Sequence, residues 1–349
     1  MNAADPVGRP RVVVIGASAG GVEALTRLVR ELPATYSLPV LVVLHVPPTS
    51  SALPEILSRA GPVPARHARD GESISEGRIL IAPPDCHLLV EDGSVQLVRG
   101  PKENAHRPAI DPLFRTAAAA FGPGVVGVVL SGSLDDGTAG LGWIKREGGM
   151  TVVQDPDEAL YPAMPASALA AVGPDHVLSI RQIAELLVRV ADSPPEPDRA
   201  HSDEEEEEKE DIVERDPTQL SPEAVTEANR EVGQLTAFTC PECNGSLWEL
   251  RDGELIKLRC RVGHAYTEEG YAHEKAVHLE AAIWTALTAL VERAEFSQRL
   301  ADRFRRRGSE LSAKRYDEQS RNLRSQAETL RHALLRLDVP AEEEELEAS

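Results

Sequence analysis

A serine on a glycine-rich turn is the first feature of the sequence that can do chemistry. Ser18 lies in the segment GASAGG (residues 16–21), between a β-branched run and a helical pattern. Small neighbours permit a tight strand-to-helix turn that exposes the hydroxyl, and the helix N-terminus offers N–H donors to an oxyanion. Dinucleotide-binding folds use a similar turn to hold phosphate, so this segment by itself leaves both chemistries open.

Residues that follow two other predicted strands distinguish these chemistries. His45 directly follows the second strand, at a position where a dinucleotide-binding fold would carry an acidic residue for the ribose. A later strand is followed by a glycine-punctuated loop with two carboxylates, Asp135 and Asp136. Because the carboxyl ends of parallel strands converge on one crevice, Ser18, His45 and Asp136 are expected to meet there. An imidazole held by a carboxylate can deprotonate the serine hydroxyl, which predicts a catalytic triad.

A parallel α/β sheet is needed to bring these residues together. From residue 11 to about 190, short β-branched runs alternate with helical stretches rich in Ala and Leu, which is typical of such sheets. The sequence predicts a doubly wound parallel sheet between two helical layers, a three-layer αβα fold. The clearest predicted strands are 12–15, 40–44, 79–82 and 125–130, and the predicted helices are 22–31, 53–58 and 112–121.

Four metal-ligand residues form a second cluster late in the chain. Cys240 and Cys243 form a C-x-x-C pair, followed after sixteen residues by Cys260 and after three more by His264. This spacing is typical of one tetrahedral zinc ion. A redox C-x-x-C pair is the alternative, but no thioredoxin-like βαβ pattern surrounds it. Four protein ligands leave no open position, so the zinc is predicted to be structural, and catalysis is predicted to need no cofactor.

The remaining sequence predicts five segments. A catalytic domain is expected over 11–192, an acidic Pro-rich linker with a short helix over 193–232, a zinc knuckle over 233–270, a helical hairpin over 271–338 and an acidic tail over 339–349. The apolar stripes of the hairpin fit a self-packed pair, which we favour, or docking on another chain.

Charge and hydropathy exclude several function classes. The net charge is −20, and two acidic runs, 203–216 and 342–347, supply much of it. Such runs are typical of solvated spacers, and an acidic chain gains nothing from counterion release, so nucleic-acid binding is not expected. No apolar run is long enough to span a bilayer and no secretory signal is visible, which predicts a cytoplasmic protein without membrane insertion.

Six segments between residues 11 and 190 resemble the catalytic domain of bacterial chemotaxis protein-glutamate methylesterases of the CheB type. They are VVVIGASAGGVEAL, LVVLHVPP, GRILIAPPDCHLLV, HRPAIDPLF, VGVVLSGSLDDGTAGL and YPAMPASAL. The resemblance maps the family's serine, histidine and aspartate onto Ser18, His45 and Asp136. It implies hydrolysis of glutamate methyl esters on chemoreceptor helices with release of methanol, and often deamidation of receptor glutamines.

Several positions near the expected site depart from the family pattern. Many members have threonine after the nucleophile and Thr-Gly-Met-Gly in the aspartate loop, where this chain has Ala19 and SGSL at 131–134. Backbone N–H groups of Ala19 and Ser133 are still predicted to form the oxyanion hole, because that role requires no particular side chain.

Arg107, in the HRPAIDPLF segment, is a candidate for binding substrate carboxylates, and a structural role fits it equally well.

Regulation and partners are the remaining expectations. Family members commonly carry an N-terminal receiver domain that blocks the active site until it is phosphorylated, whereas this sequence starts on the first catalytic strand. We therefore expect activity that is constitutive or governed by the C-terminal half, whose helices are candidates for binding chemosensory signalling proteins. Two rival functions are a signalling adaptor with weak or no esterase activity and a nucleotide-binding protein, which His45 disfavours.

Overall fold

A seven-stranded sheet forms the centre of the first part of the structure, a computed structural model that describes residues 11–49, 51–75, 77–193, 216–252 and 255–337. The strands of this part are β1 (Val12–Ala17), β2 (Val40–Leu44), β3 (Ala65–His67), β4 (Ile79–Ile81), β5 (His87–Glu91), β6 (Ser94–Val98), β7 (Val125–Val129), β8 (Met150–Gln154) and β9 (His176–Leu178). The sheet order is β3-β4-β2-β1-β7-β8-β9, with every neighbouring pair parallel, while β5 and β6 form a separate hairpin.

Helices cover both faces of this sheet. They are α1 (Gly21–Glu31), α2 (Leu53–Ala60), α3 (Ile110–Phe121), α4 (Thr138–Arg146), α5 (Ala163–Val172) and α6 (Ile180–Asp192). Residues of β1 alternate between two apolar clusters: Val13 and Ile15 pack with α1, α2 and α6, whereas Val12 and Val14 pack with α3, α4 and α5. A strand buried on both faces requires a continuous apolar run, which is why VVVI is read as a central strand. The predicted doubly wound αβα fold is confirmed.

The order of strands creates a crevice beside β1. The chain moves from β1 to β2 on one side, and later returns to place β7 on the other side of β1. Ligands of open α/β sheets bind where the order reverses in this way, outside the carboxyl ends of the strands. The segments that follow β1, β2 and β7 therefore meet at one edge of the sheet.

A second, antiparallel sheet follows the short helix α7 (Pro222–Val232), which Ser221 caps by accepting the Ala224 N–H. Its strands, in spatial order, are β10 (Gly233–Thr239), β11 (Ser246–Asp252), β12 (Leu255–Cys260) and β13 (Ala265–Thr267). We call β10–β13 the C-terminal sheet. Most of the predicted acidic linker, at 194–215, and the predicted acidic tail lie outside the described residues.

Two long helices end the described chain, α8 (Glu268–Arg306) and α9 (Glu310–Leu334). The residues from 272 onward form a separate unit, in which the helices pack as a hairpin. Ser320 Oγ donates to the Ala294 carbonyl at 2.8 Å, and the rings of Phe304 and Tyr316 stack at 5.5 Å near the turn. Gly308 lies between the helices with a φ of 75°. Among the described residues, no helix combines the length and apolar character needed to cross a membrane.

Candidate active site

Ser18 lies on the turn between β1 and α1. Its N–H donates to the Ser131 carbonyl at 3.0 Å, and its own carbonyl accepts the Gly21 N–H at 2.8 Å. Gly20 has a φ of 70°, and a Cβ at that position would lie 2.7 Å from Ser131 Oγ. A residue with a side chain would therefore be both strained and obstructed there. The turn fixes the serine hydroxyl at the N-terminus of α1.

The structure brings the three predicted triad side chains together. His45, directly after β2, has Nδ1 3.0 Å from Ser18 Oγ and Nε2 2.8 Å from Asp136 Oδ2. The side chains of His45 and Asp136 are almost fully buried, with 7% and 2% of their surface exposed. These distances are those of hydrogen bonds, so the hydroxyl, the imidazole and the carboxylate form one connected chain. The catalytic roles of the three residues stay predictions.

The carboxylate of Asp136 is held in its ionised form. Burial on its own raises its pKa, but the hydrogen bond and charge of His45, the N–H of Ile110 and the amide of Asn104 outweigh burial and lower the pKa to about 2. Its Oδ1 also accepts the N–H groups of Asp111 and Gly137. The first N–H groups of α3 thus point at this carboxylate, which a helix N-terminus favours.

This ionisation decides where the proton of His45 lies. An ionised carboxylate can only accept hydrogen bonds, so Nε2 of His45 must carry the proton that it shares with Asp136. Nδ1 then has a free lone pair and faces Ser18 Oγ as an acceptor. The ring is therefore in the tautomer that a general base requires.

The neighbouring carboxyl group has a different environment. Burial, together with the charges of Asp111, Glu269 and Asp136, outweighs the lowering by its bond to Thr267 and raises the pKa of Asp135 to about 7. No bond joins Asp135 to His45 among the hydrogen bonds of the described residues. The two adjacent acids thus differ in pKa and in contacts, and of the two it is Asp136 that contacts the imidazole.

Three further side chains support the site, none of them among the predicted triad, oxyanion, substrate-binding or metal-ligand residues. The ring of His106 stacks on that of His45, with centroids 3.5 Å apart and planes 14° apart, which restricts rotation of the imidazole. Asn104 Nδ2 donates to Asp136 Oδ1 at 2.9 Å. Asp111 Oδ1 accepts the N–H of Gly140 at 2.7 Å and so fixes the start of α4. The sequence contained one indication of the role of Asp111, because this residue lies in the HRPAIDPLF segment that resembles the family.

The two residues predicted to form the oxyanion hole lie on segments next to Ser18 in the structure. Ala19 follows the nucleophile, and its carbonyl accepts Ser131 Oγ at 2.9 Å. Ser133 follows Gly132, at which an added Cβ would lie 2.9 Å from Ser18 Cβ. The oxyanion role of both backbone N–H groups stays a prediction.

Two further positions, one departure from the family pattern and the substrate-binding candidate, can also be placed. Leu134, where many family members have glycine, has a φ of 58°, a left-handed conformation that costs a leucine about 1 kcal/mol. Arg107 donates to Asp85 at 2.9 Å through Nε and to the Gly100 carbonyl at 2.8 Å through Nη1. These contacts give the guanidinium a structural role, and substrate binding by it stays a prediction.

The predicted metal ligands also converge. One ligand atom from each of Cys240, Cys243, Cys260 and His264 lies within 4.8 Å of all the others. Cys243 Sγ is 3.6 Å from Cys260 Sγ, and His264 Nδ1 is 3.6 Å from Cys260 Sγ and 3.7 Å from Cys240 Sγ. Tetrahedral ligands with zinc–sulfur bonds of about 2.3 Å would be separated by about 3.7 Å. The four side chains therefore fit a metal ion.

Comparisons with known proteins agree with this geometry. A family profile described as CheB methylesterase matches residues 13–187. A Leptospira interrogans protein with the provisional name protein-glutamate methylesterase/protein-glutamine glutaminase is 39% identical over 180 residues, which cover 51% of this chain and 93% of the relative. A relative of the same name from Anaeromyxobacter dehalogenans, numbered 3, is 43% identical over 184 residues, 52% of this chain and 54% of its own length.

A solved structure supports the same assignment. The crystal structure of the Thermotoga maritima CheB methylesterase catalytic domain aligns with a TM-score of 0.50 and 32% identity, covering 52% of this chain and 98% of that one. The chain matches only about half the length of relatives such as the one from Anaeromyxobacter. The family profile ends at residue 187, before α7 and the C-terminal sheet.

Proposed function

The chain belongs to the CheB methylesterase family, and from this we propose that it hydrolyses glutamate methyl esters on chemoreceptors and releases methanol. The supporting observation is the chain of hydrogen bonds from Ser18 Oγ through His45 to the ionised Asp136, at 3.0 and 2.8 Å. Relatives that share this part of the chain carry the name protein-glutamate methylesterase/protein-glutamine glutaminase.

The geometry supports a two-step acyl transfer. Ser18 Oγ attacks the ester carbonyl while its proton moves to Nδ1 of His45, and Asp136 stabilises the imidazolium that forms. The tetrahedral intermediate collapses to an acyl-enzyme, and the departing methoxide takes the proton from Nδ1 to become methanol. A water molecule then attacks the acyl-enzyme with His45 again as base, which releases glutamate and restores the serine.

Deamidation of receptor glutamines follows from the same chemistry. A glutamine side chain places an amide carbonyl where the ester carbonyl would lie, and attack by Ser18 gives the same acyl-enzyme. The leaving group is then ammonia, protonated from His45, instead of methanol. The final product is glutamate in both reactions.

Methanol release from a methylated receptor tests this function. We expect full-length protein to release labelled methanol from receptor membranes carrying labelled methyl esters, in proportion to enzyme concentration and time. Receptor labelled only outside its glutamate side chains is the control and should give none. Release no faster than the enzyme-free blank would contradict the esterase and favour the adaptor.

The cysteine cluster is proposed to hold one structural zinc ion. Three thiolates and one imidazole form a donor set typical of zinc, and the ion would have no open coordination position for a substrate. Zinc would join the turn after β10 to the hairpin of β12 and β13. Because such ligands converge only in the folded chain, metal binding would stabilise the C-terminal sheet.

Metal content checks this assignment. Protein purified without chelator is expected to contain about one zinc per chain by elemental mass spectrometry, as one four-ligand site requires. Cys243→Ser is expected to lose most of this zinc, whereas Cys86→Ser, at a free cysteine outside the cluster, should retain it. Wild-type protein without bound metal, or equal loss in both variants, would contradict the site.

Location and partners complete the proposal. Cysteines 86, 240, 243 and 260 form no disulfide with one another, which suits a reducing compartment such as the cytoplasm. The substrate would be the methylated cytoplasmic helices of chemoreceptors. Binding of chemosensory signalling proteins by α8 and α9 stays a prediction.

A further inference from the structure

Two strands of the C-terminal sheet place polar side chains behind the catalytic aspartate. Lys257 on β12 donates from Nζ to Asp111 at 2.9 Å and to Glu103 at 2.7 Å. Thr267 on β13 donates from Oγ1 to Asp135 at 2.7 Å. The Lys257 side chain is only 17% exposed, so its ammonium is largely removed from water. In such surroundings a charge that loses its partner is costly.

Asn104 connects β13 to the triad. Its Oδ1 accepts the N–H of Thr267 at 3.0 Å, and its Nδ2 donates to Asp136 Oδ1 at 2.9 Å. An amide has one accepting end and one donating end, so the bond to Thr267 decides which end faces Asp136. If the amide rotated, its oxygen would meet the carboxylate and repel it. The main chain of β13 therefore fixes the amide in its productive orientation.

Asp111 connects β12 to the triad. One of its carboxylate oxygens accepts the N–H groups of Gly137 at 3.1 Å and Gly140 at 2.7 Å, and the other accepts Lys257. Gly137 directly follows Asp136, so this carboxylate holds the main chain next to the catalytic acid. Lys257 in turn holds the carboxylate.

The charges in this region also depend on Lys257. Glu103, Asp111, Asp135 and Asp136 are all buried. Burial on its own lowers the pKa of Lys257, but the carboxylates of Asp111 and Glu103 outweigh this and raise it, so the side chain remains a cation. Burial raises the pKa of Asp111, and Lys257 opposes that increase. Without the ammonium, Asp111 would take up a proton or repel Asp136.

The same two strands carry metal ligands. Cys260 ends β12, three residues after Lys257, and His264 immediately precedes β13. The hairpin is tied to the catalytic part by main-chain bonds, among them the Asn104 N–H to the Ala265 carbonyl at 2.8 Å. A metal ion bound by Cys260 and His264 would close this hairpin and set the positions of its side chains.

From these contacts we infer that the C-terminal sheet is a positioning module of the esterase site: Lys257 and Thr267 hold Asp111 and Asn104, which in turn hold Asp136. Metal binding at the cysteine cluster thereby supports catalysis without contact between metal and substrate. The inference rests on the proposed esterase function. It also supplies a physical route by which the C-terminal half governs activity.

Kinetics of Lys257 variants test this module. We expect Lys257→Met to lower kcat for methanol release about 10- to 100-fold with KM within about threefold, because the substrate does not contact Lys257 and only alignment of the triad is lost. Lys257→Arg keeps the charge and should restore kcat to within about fivefold of wild type. Arg251→Met, at a 72%-exposed cation of the same sheet, is the matched control and should have no effect.

Hydrogen exchange gives a second readout that does not depend on activity. The N–H groups of Gly137 and Gly140 are expected to exchange faster in Lys257→Met and in wild-type protein stripped of metal, because Asp111 no longer holds them. Peptides from β1 and β7 should keep their protection, which establishes that the catalytic part is still folded.

The outcomes separate this inference from the proposed function. Wild-type protein that releases no methanol contradicts the function. Active wild-type protein, with Lys257→Met kcat within threefold and unchanged exchange at Gly137 and Gly140, overturns the inference. If Lys257→Met does not fold, Lys257→Gln, which also removes the charge but keeps a polar end beside Asp111 and Glu103, replaces it. We expect that variant to lower kcat about 3- to 10-fold with unchanged KM, and an unaltered kcat overturns the inference in the same way.

Discussion

Ser18→Ala is expected to lower kcat for methanol release by about 10⁴- to 10⁶-fold, because it removes the hydroxyl that is proposed to form the acyl-enzyme. In the described structure, Ser18 Oγ is the hydroxyl that lies 3.0 Å from His45 Nδ1. Removing it leaves the predicted oxyanion donors in place, so residual hydrolysis should reflect direct attack by water alone.

Its control is a serine far from the triad. Among the described residues, Ser58 on α2 bonds only to the main chain of Ala65, so Ser58→Ala should keep kcat within about twofold. Both variants should keep the far-ultraviolet circular dichroism of wild type. Residual activity in Ser18→Ala above about one per cent of wild type would mean that the nucleophile lies elsewhere.

Asp136→Asn is expected to lower kcat by about 10³- to 10⁴-fold while leaving the size of the side chain unchanged. An asparagine can present its NH2 group to His45 Nε2, which then must accept, so the ring proton moves to Nδ1. Nδ1 faces Ser18 Oγ and could no longer remove its proton. The loss should fall on kcat, with KM within about threefold, because Asp136 acts on the imidazole and does not contact the ester.

Asp135→Asn is the matched control for this experiment. The side chain is adjacent in sequence and similarly buried, but it bonds to Thr267 and not to His45. Because an asparagine oxygen can still accept the Thr267 hydroxyl, we expect a loss of kcat below about tenfold. Equal losses in the two variants would contradict the assignment of Asp136 as the acid of the triad.

The fold and the triad were predictable because both depend on patterns that are local in sequence. A continuous apolar run marks a strand buried on both faces, and Ser18, His45 and Asp136 each follow such a run. Parallel strands then bring their carboxyl ends to one edge without further information. The short strands β3 and β9 were not among the predicted strands, because three residues are too few to show a period and, unlike the equally short β4, they form no continuous apolar run.

The residues that support the triad were not predictable in this way. Lys257 and Asp111 are 146 residues apart, and Thr267 and Asn104 are 163 apart. A lysine on a strand is usually a solvated side chain, and nothing near Lys257 in sequence indicates the buried carboxylates that it meets. Its contacts exist only because the C-terminal sheet packs against the loop before α3.

By itself, the sequence predicted the parallel sheet, the three residues proposed as a triad and the four proposed metal ligands, because position and spacing along the chain indicate each of them. The tertiary structure decided which nitrogen of His45 faces Ser18 and why Asp136 is ionised. It also decided that the C-terminal sheet contacts Asn104, which bonds to Asp136. The orientation of the imidazole and the charge of the carboxylate depend on contacts between segments that are distant in sequence. Because these groups are buried, water does not screen them, and their interactions are stronger than at the surface.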